Sequence, residues 1–212
     1  MSAASSQLTQ KDLLEGLTRL GEAAANAGKI IDLAVYGGSC LMLVSNFRVT
    51  SQNVDAVAAT DQIFIDKVAK DIAAAKSWPD DWLNDGVRTY LSPNVDPPAD
   101  HELYATYPSE ARPGLRVYVP TAEYMLAMKL MALRIDDISG GKDKDDIVNL
   151  LQIVDIKSKN ELITFAAQYY PEARVSAKLL LASDQLIALS KSPKAGHEPP
   201  QYLGRRRASV ER

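Results

Sequence analysis

The stretch Tyr36–Val57, YGGSCLMLVSNFRVTSQNVDAV, decides how this chain is read. It leaves an apolar strand, turns at Gly37-Gly38-Ser39, crosses a short apolar segment and enters a second apolar strand carrying one acid, Asp55. Two glycines between a strand and a helix let a ligand approach the backbone and aim successive N–H groups at an anion. Ser39 is expected at the helix N-cap, where its hydroxyl can meet a phosphate. A tight turn closed by a serine cap accounts for the same three residues. Asn53 and Asp55 alternate along the second strand, which is expected to span Asn53–Ala59, so both side chains should leave one face of the sheet. Two oxygen donors so placed suit a divalent ion in phosphoryl chemistry, but only Asp55 brings charge. Equally, Asp55 could cap the strand end or pair with an arginine such as Arg48.

Outward from this stretch the periodicities are clear. Thr9 is a helix N-cap, followed by Leu13, Leu14, Leu17, Leu20 and Ala24 on one face, and Gly28 ends that helix. Ile30–Tyr36 is a mostly apolar strand of central character. Asp61–Lys76 is an amphipathic helix with Ile65, Val68, Ile72 and Ala75 on one side. The Pro-rich, polar run from Asn94 to Gly114 reads as loop. Leu115–Val119 alternates as a strand, and Thr121 opens an apolar helix, TAEYMLAMKLMALR. The polar segment DDISGGKDKDD follows, then IVNLLQIV as another helix, and two or three more helices are expected over Lys159–Ser190. Residues 1–120 are therefore expected to form a small mixed sheet with flanking helices, an α/β (α+β) arrangement, and 121–190 a helical C-terminal region. The weakly apolar run 191–212 reads as a flexible tail.

Composition narrows the chemistry. With 212 residues, 46% of them hydrophobic, the chain can bury a sizeable core. A formal charge of −3 gives no global pull toward nucleic acid or anionic membrane. No apolar run approaches the roughly 20 residues of a membrane span, and the N-terminus carries no secretory pattern. The single cysteine, Cys40, fits a reducing compartment, so a cytoplasmic location is expected. Two histidines, His101 and His197, are too few for a Cys/His zinc cluster. Asp, Lys and Arg remain plentiful, the side chains of magnesium and phosphate chemistry.

Lys129 stands among Met125, Leu126, Ala132 and Leu133 at helical spacing. An ammonium there either snorkels out of the core or points into a polar cavity, where a triphosphate would suit it. In Lys142-Asp-Lys-Asp-Asp146 the acids stabilise a first helical turn, or else serve a site to which Arg134 and Lys142 also belong. Arg205-Arg206-Arg207 is a solvated charge run or a grip on RNA.

Taken together, GGSCLML, the R…S-x-N-V-D-A-V segment, LRVYVPTAEYMLAMKLMALR and KDKDDIVNLL resemble a bacterial group of the nucleotidyltransferase superfamily related to AbiEii-type abortive-infection toxins. The resemblance spans roughly Leu13 to Tyr170 and rests on the order and spacing of these segments. It implies a nucleotidyltransferase fold in which Gly37, Gly38, Ser39 and Arg48 bind nucleotide and Asn53 and Asp55 hold Mg2+. It further implies catalytic roles for Asp55, Lys129, Asp143 and Asp146, with Lys129 also on the nucleotide. The implied substrates are a nucleoside triphosphate and an acceptor hydroxyl on RNA such as tRNA, and the implied partner is a cognate antitoxin. Asn53 departs from the family's acidic residue. Leu115–Val119 has no third acid of the kind many nucleotidyltransferases carry. A degenerate domain that binds nucleotide, RNA or protein without turnover is the alternative.

Overall fold

The computed structural model describes residues 7–133, 141–171, 177–192 and 198–205. Arg134, His197, Arg206 and Arg207 lie outside them. The described chain divides into two compact units. The first holds the residues up to Val44, Arg48–Thr89 and Glu102–Val119. The second holds Ser45–Phe47, Tyr90–His101 and the residues from Pro120 onward. The passage at Val119–Pro120 falls at the expected switch from strand to helix. Of the two short excursions into the second unit, Ser45–Phe47 carries no compositional mark, while Tyr90–His101 includes the start of the Pro-rich run.

The first unit is built on a five-stranded sheet of order β5-β4-β2-β7-β6, with β2 (Ile31–Tyr36) in the middle. β4 (Val54–Ala58) runs antiparallel to β2 and β7 (Arg112–Pro120) parallel to it. The short β5 (Leu83–Asn84) extends the sheet in parallel beyond β4. Asp32 and Arg116 face each other in the parallel register and form a two-pronged ion pair at 2.6 and 2.9 Å, which fixes the alignment. The Asn94–Gly114 run is not the expected loop. It contains β6 (His101–Ser109), joined to β7 by the two-residue connection Glu110-Ala111. This strand lies at the sheet edge, where Pro108 is tolerated, and its half-buried residues leave no clean alternation to detect.

α1 (Gln10–Asn26) starts from a capping box in which Thr9 and Asp12 satisfy each other's backbone N–H groups. Its buried stripe, Leu13, Leu17, Leu20 and Ala24, is interrupted by Gly16 and Gly21. Both glycines are required by close packing. A Cβ on Gly16 would meet the Trp82 ring at 2.6 Å, and one on Gly21 would meet the Tyr107 backbone at 2.7 Å. α3 (Gln62–Lys76) buries Ile65, Ala69, Ile72 and Ala73, so its core face is turned from the expected one and Ala75 is exposed. A second, two-stranded sheet pairs β1 (Leu8–Thr9) with β3 (Thr50–Ser51).

The second unit is helical. α4 (Pro97–Asp100) is one turn, and α5 (Ala122–Ala132), capped by Thr121, is buried along most of its length. α6 (Lys142–Val154) packs on α5, while α7 (Lys159–Tyr169) and α8 (Ala177–Ser190) close the bundle. Residues 198–205, expected within a flexible tail, are instead tied down. Tyr202 bridges Ser45 and donates its hydroxyl to the Pro120 carbonyl, and Asn46 bonds both Pro199 and Gln201. Arg205 donates to the carbonyls of Pro98, Ala99 and His101. These are backbone partners, and composition gives no sign of them.

Candidate functional site

In the first unit the chain leaves β2 at Tyr36 and winds directly into α2 (Gly37–Val44). The helix begins at Gly37, two residues before the expected start, so Ser39 is inside the first turn and is not the N-cap. Its side chain is completely buried and donates to the Tyr36 carbonyl at 2.8 Å, fastening the turn to the end of the strand. Gly37 adopts φ +63°, a conformation that favours glycine.

Asp55 is paired in register with Tyr36, and this brings its carboxylate onto the glycine turn. A Cβ on Gly37 would sit 2.7 Å from Asp55 Oδ2. On the next residue, a Cβ would meet Arg48 Nη2 at 2.8 Å and Ser51 Oγ at 3.0 Å. Arg48 is itself steered by a bond from Nε to the Thr50 carbonyl, 2.9 Å long. The structure therefore gathers Gly37, Gly38, Arg48 and Asp55 around one helix start. It adds Ser51, which no sequence signal distinguishes from an ordinary loop serine. Asn53 lies on the bend before β4, half-buried, so strand alternation does not extend to it.

Lys129, Asp143 and Asp146 form a separate cluster in the second unit. The Lys129 ammonium is buried and binds Asp146 Oδ2 at 2.9 Å and Asp143 Oδ1. It neither snorkels to solvent nor stands alone in a cavity. Burial pushes this lysine down, but Asp146 and Asp143 more than offset that and hold it above its ordinary value. Asp146 is buried with it, whereas the Asp143 side chain is 45% exposed.

Among the described residues no group of three or more His, Cys, Asp or Glu side chains is placed to hold a metal ion. At the glycine turn the donors are the Asp55 carboxylate and, near it in sequence, the Asn53 amide. Magnesium commonly binds through one or two carboxylates plus substrate phosphates, retaining its waters. The Asp55 carboxylate set against the Gly37 backbone fits an ion arriving with a phosphate, though it is no cage by itself. No protein-family model, curated protein or solved structure matches this chain.

Proposed function

We propose that the chain is a magnesium-dependent nucleotidyltransferase of the toxin-like group it resembles. The observation that carries the reading is the Asp55 carboxylate and Arg48 guanidinium meeting at two adjacent glycines where a strand turns into a helix. Bare backbone, a positive helix end and a guanidinium attract phosphate, while a carboxylate at the same place repels it. A cation between Asp55 and the phosphate resolves that conflict. Asp55, with Asn53, would hold the ion, and Gly37, Gly38 and Arg48 would hold the triphosphate.

When bound, magnesium supplies charge neutralisation on the phosphates. An acceptor hydroxyl then bonds to the α-phosphorus, the bond from that phosphorus to the β-phosphate oxygen breaks, and pyrophosphate and a proton leave. RNA, tRNA in particular, is the acceptor class, with an antitoxin as protein partner. Lys129, Asp143 and Asp146, clustered in the second unit, keep within this proposal the catalytic roles that the resemblance implies.

A reading without turnover has its own observation. The turn carries one carboxylate, and Asn53 stands on the preceding bend. Incubation with total tRNA, magnesium and each α-labelled nucleoside triphosphate, using the chain as it stands and Asn53→Asp, separates the two. Label on RNA from either protein supports transfer. Silence from both, with folded protein and intact tRNA, rejects transfer and leaves binding alone.

A further inference from the structure

We propose that Asn84 positions the acceptor, donating to the 2′-oxygen of an RNA's terminal ribose, an inference that rests on the transfer reading above. In the sheet register Asp55 faces Tyr36 of β2 on one side and Asn84 of β5 on the other. In-register neighbours project from the same face, on strands about 4.8 Å apart. The glycine turn after Tyr36, the Asp55 carboxylate and the Asn84 carboxamide therefore follow one another across the sheet, with Asp55 between.

The place of Asn84 is fixed from two sides. Trp82 is fully buried, gives its indole N–H to the Ala69 carbonyl at 2.9 Å, and takes the Val54 N–H on its own carbonyl at 2.6 Å, which locks β5 to β4. The amide is oriented too, because Oδ1 accepts the Gly86 N–H at 3.0 Å. Nδ2 is the end left for a ligand. One of its hydrogens makes a long 3.4 Å contact with the Asp81 carbonyl, and the other has no partner among the described residues. The turn uses only the oxygen, which an aspartate would offer equally.

In phosphoryl transfer the attacking and leaving oxygens lie roughly in line through the phosphorus. With the phosphates on the glycine side of Asp55, pyrophosphate leaves toward the turn and the attacking hydroxyl arrives from the side of Asn84. The 3′-oxygen bonds to the α-phosphorus as the bond to pyrophosphate breaks and the hydroxyl proton leaves. Nδ2–H meanwhile holds the neighbouring 2′-oxygen, the atom that distinguishes RNA from DNA. β5 is the outermost strand on this side, so no further strand bars a bulky acceptor from that edge. Arg88, just beyond it, is half exposed and tied to Asp85 at 3.2 Å, a surface pair weak enough to yield to an RNA phosphate.

The test is transfer of α-labelled nucleotide to tRNA and to tRNA ending in 2′-deoxyribose, by whichever of the unsubstituted chain and Asn53→Asp transfers label. Asn84→Ala should lower kcat/KM for tRNA about fivefold to tenfold, the value of one hydrogen bond, and leave the affinity for magnesium adenosine triphosphate unchanged. Asn84→Asp keeps the turn bond and lacks the donor, so it should show the same acceptor defect at unaltered Tm. The 2′-deoxy end should cost the parent protein the same factor and cost Asn84→Ala nothing further. Multiplying losses, an unchanged kcat/KM, or a lost affinity for the triphosphate in folded Asn84→Ala overturns the assignment while the transfer reading stands. No transfer by either parent removes both.

Discussion

Lys129 shows how a charge inside an apolar helix is held by acids on the helix that follows. Its ammonium and the Asp146 carboxylate are both buried, so each is stable only because the other is there. Lys129→Met should therefore destabilise the second unit by about 3–5 kcal/mol, because it strands a buried carboxylate. The double variant Lys129→Met/Asp146→Leu should recover much of that loss, while Asp143, half in water, needs no compensation. Urea unfolding of the three proteins checks this, and strictly additive losses would contradict it. The pH dependence has a defined sign. A lysine raised above its unfolded value of 10.5 contributes stability that is full below that value and is lost as pH rises through the folded one. Tyr124 acts in the same direction, since burial lifts its hydroxyl from 10.0 to about 12. Unfolding midpoints should fall steeply above pH 10.5 in the unsubstituted chain and less so in Lys129→Met. A profile identical in both would reject the role given to Lys129.

At the scale of elements, the glycines report where segments touch. Gly37→Ala places a side chain at φ +63° and against Asp55 Oδ2, which should cost about 1–3 kcal/mol. Gly38→Ala meets only the movable tip of Arg48 and the Ser51 hydroxyl. It should cost under about 1 kcal/mol in stability but weaken triphosphate binding by about tenfold, because the guanidinium is pushed from its seat. Thermal unfolding and calorimetry on the pair distinguish the two effects. Gly114→Ala is the severe case. Its Cβ would run into the Gly21 carbonyl and lie 2.6 Å from Ala25 N, where β7 crosses α1 and no side chain can yield. A loss of about 3 kcal/mol or more in urea is expected, and a neutral result would mean that the crossing is looser than described.

The same elements divide into those legible in the amino-acid sequence and those that are not. Local chemistry is legible. The Thr9–Asp12 capping box, the apolar β2, the Thr121 cap and the helix from Lys142 are each written within a few neighbouring residues. The Gly37-Gly38 turn and the candidacy of Asp55 beside it are legible too. What escapes depends on partners distant in sequence. Strand β6 is made by pairing with β7, Lys129 is settled by acids one helix away, and Ser39 by a carbonyl that takes its hydroxyl. Ser51 becomes visible only once Gly38 is folded against it.

At the scale of the molecule, two compact units share one chain that crosses between them several times. Residues 198–205 show why the polar end of a chain need not be loose. Six hydrogen bonds from Asn46, Gln201, Tyr202 and Arg205 to unit-two partners have their geometry fixed by backbone groups. Removing residues 198–212 should cost about 2–3 kcal/mol at a net 0.5 kcal/mol or so per bond. Arg205→Ala alone should account for a minority of that. Unfolding of the shortened chain at an unchanged midpoint would contradict this account. No helix among the described residues is long and apolar enough to cross a membrane.

The central claim is that Asp55 and the glycine turn bind a triphosphate through a shared cation. Equilibrium dialysis of labelled adenosine triphosphate, with and without magnesium, against the unsubstituted chain, Asp55→Asn and Arg48→Ala is its most direct test. The account predicts binding that requires magnesium and weakens by at least about tenfold in each variant, while Asp32→Asn, whose carboxylate pairs with Arg116, binds normally. Absence of binding at millimolar ligand, or equal affinity with and without magnesium in the unsubstituted chain and Asp55→Asn, would contradict it.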